Sequence, residues 1–169
     1  MTTKRIFFAL WPDDRQRDRL RDQIRPLAKL VEGQVDYRGD WHVTTAFIGS
    51  FPEADIPGLL ARAAEIPVEP FRLRFDRVEF WPRPKVASLV APTVPPELQR
   101  LVDAHNALLA DYGVAFEDRT YRPHITVVRR ARPFETQRLA QPAVVDWTGF
   151  ELVESVSQPG GATYHPLKQ

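Results

Sequence analysis

The sequence predicts an α+β fold in which two similar lobes face each other across a cleft. The first observation is the order of the predicted elements, which is strand, helix, strand, helix, two strands, helix, strand and a late strand region. The second is a short apolar segment with the pattern His-x-Thr, which occurs at His42 and again at His124. Because each copy follows a predicted helix, we interpret the two halves as copies of one unit within a single domain, residues 1–169.

Length and composition are typical of one folded domain. A chain of 169 residues can bury one substantial core, and 43% hydrophobic and 27% charged residues are ordinary for a globular protein. No apolar run is long enough to span a membrane, and the early apolar segment at residues 6–11 is too short for a signal peptide. We therefore expect a cytoplasmic protein with no membrane partner, and we expect it to act as a monomer.

Charge and cysteine content exclude several classes of function. The formal net charge of +1 argues against a protein that coats long nucleic acids by electrostatic attraction alone. The chain has no cysteine, which excludes a disulfide, a thiol nucleophile and a thiolate metal site. Only four of its 23 basic residues are lysine, and arginine is the residue that suits bidentate contacts with phosphate.

The first third of the chain predicts a strand, a helix and the first His-x-Thr strand. Residues 4–10 form a short apolar strand, and Asp13 favours the start of a helix after it. That helix carries an apolar stripe, and Pro26 is expected to end or kink it. The first His-x-Thr strand follows and closes at residues 49–52, and residues 56–64 predict a short second helix.

The middle of the chain predicts a hairpin. Apolar and polar residues alternate over residues 71–75, and the apolar positions then shift by one to Val78 and Phe80. Such a shift is typical of a bulge or bend within a long strand. Residues 81–84 predict a turn, and residues 86–90 predict the returning strand.

A third helix precedes the second His-x-Thr strand. It starts near residues 95–97, carries its apolar residues on one stripe, and has its natural stop at Gly113. His105 lies on that stripe and is interpreted as a core or boundary histidine, whereas His165 is interpreted as a surface residue. After the second His-x-Thr strand, residues 144–156 predict a final strand region.

The two histidines and their threonines form a candidate acid–base site. Side chains along a strand alternate between its two faces, so His42 shares a face with Thr44, and His124 shares one with Thr126. Histidine titrates at a pKa of about 6.5, so one imidazole can activate water while the other, as imidazolium, protonates a leaving oxygen. Phosphodiester cleavage needs that combination, and the threonine hydroxyls can donate to the charged oxygens.

Three arginines beside the second motif are candidates for contact with phosphate. Arg122 has the parity of His124, and Arg130 shares it if the strand alternates strictly, whereas Arg129 shares it if the strand bends. The sequence contains no Gly-rich phosphate loop, no dinucleotide fingerprint and no histidine–carboxylate spacing typical of zinc. We therefore expect neither a metal nor another cofactor.

These residues resemble the two-histidine (2H) phosphoesterase superfamily, in particular the RNA 2′,3′-cyclic phosphodiesterases, historically called 2′-5′ RNA ligases of the LigT or ThpR type. One departure from the usual pattern lies directly behind the first motif, where Thr45 and Ala46 replace the usual Leu and a further residue. The matching segments cover most of the chain and are residues 5–10, 42–49, 80–84, 121–129 and 152–155, with Gly161 and Tyr164 after them.

The resemblance implies two antiparallel-rich sheets with outer helices and both motifs on central strands of one cleft. It implies hydrolysis of an RNA 2′,3′-cyclic phosphate to a 2′-phosphomonoester without a metal. His42 would be the proton donor and His124 the proton acceptor, while Thr44 and Thr126 would hold the phosphate. The implied partners are RNA ends, such as tRNA fragments or nucleotides. A non-catalytic module that binds RNA ends or nucleotides, and the reverse 2′-5′ ligase reaction, remain alternatives.

Overall fold

The described part of the chain, which in this computed structural model is residues 1–116 and 119–168, contains two antiparallel sheets, three α-helices and two short 3-10 helices, Arg38–Asp40 and Glu53–Asp55. Position 169, the end of the predicted domain, lies outside it. The helices are α1 (Asp14–Ala28), α2 (Ile56–Ala63) and α3 (Pro96–Ala110). The strands are β1 (Thr3–Leu10), β2 (Gln34–Val35), β3 (Val43–Pro52), β4 (Phe71–Trp81), β5 (Val86–Val90), β6 (His124–Arg129), β7 (Gln137–Trp147), β8 (Glu151–Gln158) and β9 (Gly161–Leu167).

The strands divide between the two sheets without regard to their order in the chain. Sheet A has the strand order β3-β1-β8-β9, and sheet B has the order β2-β6-β5-β4-β7. All pairings are antiparallel. The predicted α+β fold with two antiparallel sheets is therefore confirmed. None of the helices in the described residues is both long and apolar enough to cross a bilayer.

Helix α1 begins where the sequence predicts it. The Asp13 carboxylate accepts a hydrogen bond from the Gln16 backbone N–H, and the Gln16 side-chain oxygen accepts one from the Asp13 N–H, both at 2.8 Å. This reciprocal pair is a capping box, which satisfies backbone donors that the first helical turn leaves open. Pro26 lies within the last turn, and the helix ends two residues later at Ala28. Leu20 and Ile24 are buried against sheet B.

The alternation along β1 separates the two faces of sheet A. Ile6 and Phe8 are fully buried in a core that α2 and α3 complete. Phe7 and Ala9 point to the opposite face, where they pack with Val153. The helices therefore cover one face of sheet A, and its other face is left to line a cleft.

The central hairpin agrees with its prediction. The turn at residues 82–85 connects β4 to β5, and the pairing of β4 with β7 shifts register between Phe75 and Arg77, where the parity change predicts a bulge. The first motif strand ends within the predicted residues 49–52, because the last residue of β3 is Pro52, which pairs with Thr3. Gly49 sits inside this strand at φ +84°, a conformation that favours glycine.

The late strand region contains more strands than the sequence indicates. Residues 144–156 predict one region, whereas the structure has β7, β8 and β9 there. The first half of β7, residues 137–142, is polar and largely exposed, and β9 is an edge strand with exposed positions. Neither segment has the apolar alternation that identifies a half-buried strand.

The expectation that both motifs lie on central strands is wrong for the first motif, because β3 is the edge strand of sheet A. β6 lies inside sheet B, between β5 and the two-residue strand β2. β3 and β6 contact each other, so the sheets meet along the two motif strands. One apolar core crosses this junction and includes Leu10 and Val43 from sheet A and Leu89 and Ile125 from sheet B.

Candidate active site

The two motifs show the alternation that the sequence predicts. Val43, which lies between His42 and Thr44 in the chain, is buried, and so is Thr45, which follows them. Ile125, between His124 and Thr126, is buried in the same way. The motif side chains themselves are only half-buried, and they face the cleft rather than the core; they are His42, Thr44, His124 and Thr126.

Both imidazoles are oriented in the same way by the backbone two residues earlier. His42 Nδ1 lies 2.7 Å from the Asp40 carbonyl oxygen, and His124 Nδ1 lies 2.8 Å from the Arg122 carbonyl oxygen. A carbonyl oxygen can only accept, so each ring carries its proton on Nδ1 when it is neutral. That tautomer leaves Nε2 of each neutral ring without a proton, so Nε2 is the atom that can accept one.

Aromatic rings surround His42. The ring centroids of Phe7, Trp11 and Tyr164 lie 4.9, 5.8 and 5.3 Å from that of the imidazole. Burial among them lowers the pKa of His42 to about 4, and the positive charges of Arg129 and of protonated His124 act in the same direction. Burial is the largest cause of this shift.

The ring of Trp81 covers His124 at a centroid distance of 4.2 Å. The guanidinium of Arg122 lies 4.9 Å from the Trp81 ring and donates to the Glu79 carboxylate at 2.8 Å, and the Trp81 indole N–H donates to the same carboxylate at 3.0 Å. Burial lowers the pKa of His124, and the charges of Arg122 and Arg119 contribute. Glu79 thus fixes both side chains next to this imidazole.

Tyr121 ties the two motif strands together. Its hydroxyl donates a hydrogen bond of 2.8 Å to the Thr44 carbonyl oxygen, although Tyr121 belongs to the segment that carries His124. An edge strand has backbone carbonyls with no strand to pair with, and this bond satisfies one of them. Burial raises the pKa of Tyr121, so the phenol keeps its proton. Sequence reasoning missed this contact, because nothing local indicates the distant carbonyl.

A bulge in β6 decides which arginine shares the cleft with the histidines. The consecutive β5 residues Ala87 and Ser88 pair with Val128 and Thr126, so Val127 is an extra residue in β6. Val127 and Val128 are therefore buried in succession, and Arg129 follows, half-buried. The bend returns Arg129 to the face that carries His124.

Strict alternation, which would place Arg130 on that face, is wrong. Arg130 is exposed and leaves the strand in a left-handed conformation at φ +51°. Arg129 instead donates from Nε to the two Asp36 carboxylate oxygens at 3.0 and 3.2 Å and from a terminal nitrogen to the Tyr164 hydroxyl at 3.3 Å. One arginine therefore lies beside each imidazole, Arg129 on the His42 side and Arg122 on the His124 side.

A buried polar pair lies directly behind the first motif. Thr45 is an extra residue in the pairing of β3 with β1, and its hydroxyl lies 2.9 Å from Nδ1 of His105 on α3. His105 is fully buried and stacks on Phe8 at 4.2 Å, so burial lowers its pKa to about 3. The interpretation of His105 as a core histidine is confirmed, and the unusual Thr45 is the partner of that histidine. His165 is exposed, as predicted.

Within residues 1–116 and 119–168, no three side chains of His, Cys, Asp or Glu are grouped so that they could hold a metal ion.

Comparison with known proteins identifies the family of this chain. A model described as LigT-like phosphoesterase matches residues 10–91. The RNA 2′,3′-cyclic phosphodiesterase of Archaeoglobus fulgidus is 26% identical over 180 residues, which are 97% of this chain and 98% of that protein. The Escherichia coli protein of the same name is 30% identical over 132 residues, 76% of this chain and 73% of that protein.

Solved structures agree with these relatives. A crystal structure of E. coli LigT complexed with 3′-AMP has a TM-score of 0.86 at 26% identity and covers 99% of this chain and 97% of that one. Fold and sequence together define a phosphoesterase of the 2H class. The chain belongs to the LigT-like phosphoesterase family.

Proposed function

We propose that this protein hydrolyses the 2′,3′-cyclic phosphate at an RNA end to a 2′-phosphomonoester, with His42 and His124 as acid and base. The observation that carries the proposal is the matched pair of imidazoles. His42 directly precedes β3 of sheet A, and His124 is the first residue of β6 in sheet B. Each imidazole is fixed through Nδ1 by a backbone carbonyl, and burial lowers the pKa of each. Relatives named RNA 2′,3′-cyclic phosphodiesterase support the substrate class.

In this mechanism the base is a neutral His124. Its Nε2 removes a proton from water as the water oxygen attacks phosphorus, and the bond from phosphorus to the 3′ oxygen breaks. Doubly protonated His42 gives its Nε2 proton to that departing oxygen. The products are a 2′-phosphomonoester and a free 3′ hydroxyl. The assignment of donor and acceptor follows the family resemblance, since the two histidines are held alike.

The remaining cleft residues would stabilise the charge on the phosphate. The hydroxyls of Thr44 and Thr126 share the faces of the two imidazoles and can donate to the non-bridging oxygens. Arg129 adds a positive charge that Asp36 and Tyr164 hold in position. Arg122 adds a second positive charge beside His124. These donors oppose the negative charge that builds up as water attacks.

The direct test is incubation with an oligoribonucleotide that ends in a 2′,3′-cyclic phosphate, in buffer with EDTA. We expect conversion to a 2′-phosphate end, identified by ³¹P NMR, at a rate that EDTA does not change. A 3′-phosphate product or loss of the activity in EDTA would contradict the proposal. Tight binding of the 2′-phosphate product without turnover would instead favour a binding module. Joining of two RNA ends through a 2′-5′ linkage would favour the ligase reaction.

The lowered pKa values predict an unusual pH dependence. In the empty cleft, His42 becomes protonated only near pH 4 and His124 only below its ordinary pKa of 6.5. The form with one charged and one neutral imidazole is therefore most populated below pH 6.5, and kcat/KM reports on this free enzyme. We expect kcat/KM to peak below pH 6.5 and to fall toward neutral pH.

Bound substrate changes this balance, because a phosphodiester anion next to an imidazolium raises the pKa of the imidazolium. The optimum of kcat, which reports on the complex, is therefore expected at higher pH than that of kcat/KM. Initial rates over a pH series, with the enzyme returned to neutral pH as a control for unfolding, measure both. Coincident optima of kcat and kcat/KM above pH 7 would argue against two buried, initially neutral imidazoles.

A further inference from the structure

A second concave surface lies next to the cleft. A cavity of about 260 Å³ opens between α1 and the segment at residues 35–41. Its walls include the apolar side chains of Ile24, Ala28, Val35 and Trp41. Pockets for small organic molecules begin at about 300 Å³, so this cavity has room for one planar ring system and not for a longer segment.

Basic side chains surround the opening. Arg25, in the last turn of α1, and Lys29, the C-cap residue directly after the helix, both line the cavity. Within residues 1–116 and 119–168, neither of them has a carboxylate partner. Arg21 and Arg38 also line it, and both pair with Asp18. An apolar floor with an excess of positive charge at its rim suits a ligand that joins a ring to a phosphate.

The floor of the cavity contains a polar group without a partner. Trp41 is 4% exposed, and its indole N–H is buried with no hydrogen-bond partner in the described parts of the chain. A buried donor without an acceptor is costly. The Trp41 side chain itself lines the cavity, so a base that enters the cavity would contact this side chain.

Neighbouring residues link the cavity to the candidate cleft. Trp41 directly precedes His42 in the chain, so one residue faces the cavity and the next faces the cleft. Asp36 also lines the cavity, and its carboxylate accepts from Arg129, the arginine next to His42. A polynucleotide with its end in the cleft therefore needs to pass only this edge of sheet B to reach the cavity.

An exposed aromatic ring stands on the same edge. Tyr37 is 72% exposed and its ring lies against the backbone of Gly39, where a Cβ would collide with it. Val35 beside it is 55% exposed. An exposed ring held in place next to basic side chains is the arrangement that proteins use to stack the bases of single-stranded RNA.

We propose that this surface binds the single-stranded RNA on the 5′ side of the reacting end. A base of the upstream strand stacks on Tyr37 or enters the cavity toward Trp41, and Arg25 and Lys29 contact its phosphates. This inference rests on the proposed function, because it takes the cleft as the place of the cyclic end. It extends the bound substrate from a single nucleotide with a cyclic phosphate to a longer RNA strand, and it predicts that the enzyme prefers longer substrates.

The test compares two substrates on the same variants. One is adenosine 2′,3′-cyclic phosphate, which occupies the cleft alone, and the other is an oligoribonucleotide of about ten residues with the same end, long enough for a basic strand-binding surface. In the double variant Arg25→Gln/Lys29→Gln, we expect KM for the oligonucleotide to rise about tenfold and its salt dependence to weaken by about 1.4 in log KM per log salt. The KM for the mononucleotide should stay within about twofold.

The matched control is Arg62→Gln/Arg100→Gln, which removes the same charge from α2 and α3. Both of those arginines form exposed ion pairs, with Asp111 and Glu69, and lie outside the residues that line the cavity. We expect no preferential loss for either substrate. Tyr37→Ser removes only an exposed ring and should raise KM for the oligonucleotide about fivefold or more, since a stacked base contributes at least that much.

The inference would be overturned by an unchanged KM for the oligonucleotide in both the double variant and Tyr37→Ser, or by equal changes of KM for both substrates. The same charge-removal effect in the Arg62/Arg100 control would also overturn it, because general attraction would then explain the loss. If the unaltered enzyme hydrolyses neither substrate, the proposed function itself fails. Failure of this inference and failure of the proposed function can be distinguished, because hydrolysis of the mononucleotide tests the cleft alone.

Discussion

Replacement of either motif histidine by alanine is expected to lower kcat about 10²–10⁴-fold, which is the usual contribution of one general acid or base. In the proposed mechanism, His42 and His124 act in the same step, on opposite sides of the phosphorus. The double variant should therefore lose much less than the product of the two single losses. Single-turnover rates on the cyclic-phosphate oligonucleotide measure all three variants.

His42 also packs among three aromatic rings, so its loss could alter the fold. His42→Gln keeps a polar side chain of similar length and should be nearly as inactive as His42→Ala, because an amide does not titrate and so cannot donate and recover a proton. The exposed His165 provides a matched control, and His165→Ala should keep the activity. Wild-type rates in either motif variant would exclude the two-histidine mechanism, whichever residue is the donor.

Acid is expected to destabilise the fold strongly through His105. The pKa of this buried imidazole is about 3 in the folded state and 6.5 as its ordinary value. Between these two pH values the unfolded chain binds a proton that the folded chain does not, so stability falls as pH falls from 6.5 toward 3. The slope from this one group reaches about 1.4 kcal/mol per pH unit. His42 contributes with the same sign, because burial also lowers its pKa.

The double variant Thr45→Val/His105→Leu isolates this effect. It removes both partners of the buried hydrogen bond, so neither is left unsatisfied. Urea unfolding at a series of pH values should give a shallower loss of stability between pH 6.5 and 4 than in the unaltered protein. Carboxylates titrate in both proteins and cancel in the comparison. Parallel curves would mean that His105 is accessible to protons in the folded state.

Local pattern was sufficient to predict the parts of the candidate site that depend on one strand. The alternation around His42 and His124 places each histidine and its threonine on the open face, and the structure has them there. The parity shift near Val78 likewise corresponds to a real change of register in β4. In each case the residues that determine the structure lie within a few positions of one another in the chain, so the local sequence is sufficient to predict it.

Features that depend on pairing between distant segments could not be predicted. The choice between Arg129 and Arg130 depends on an extra residue in β6, and that is visible only against its partner strand β5. The Tyr121 hydrogen bond exists because β3 is an edge strand, which depends on the topology of the whole sheet. Thr45 is a departure from the family pattern in the sequence, and only the position of His105 on α3 gives a reason for it.

The strand order of sheet A has a consequence for biosynthesis. Phe7 in β1 pairs with Val153 in β8, and the ring of Tyr164 in β9 completes the surroundings of His42. A ribosome-bound chain that has emerged only as far as β7 can pair every strand of sheet B, but it lacks half of sheet A. His124 therefore acquires its strand neighbours before His42 acquires its aromatic ones. We therefore expect assembly of the proposed acid–base pair to be a late, long-range event, completed only when the last strands add to the first.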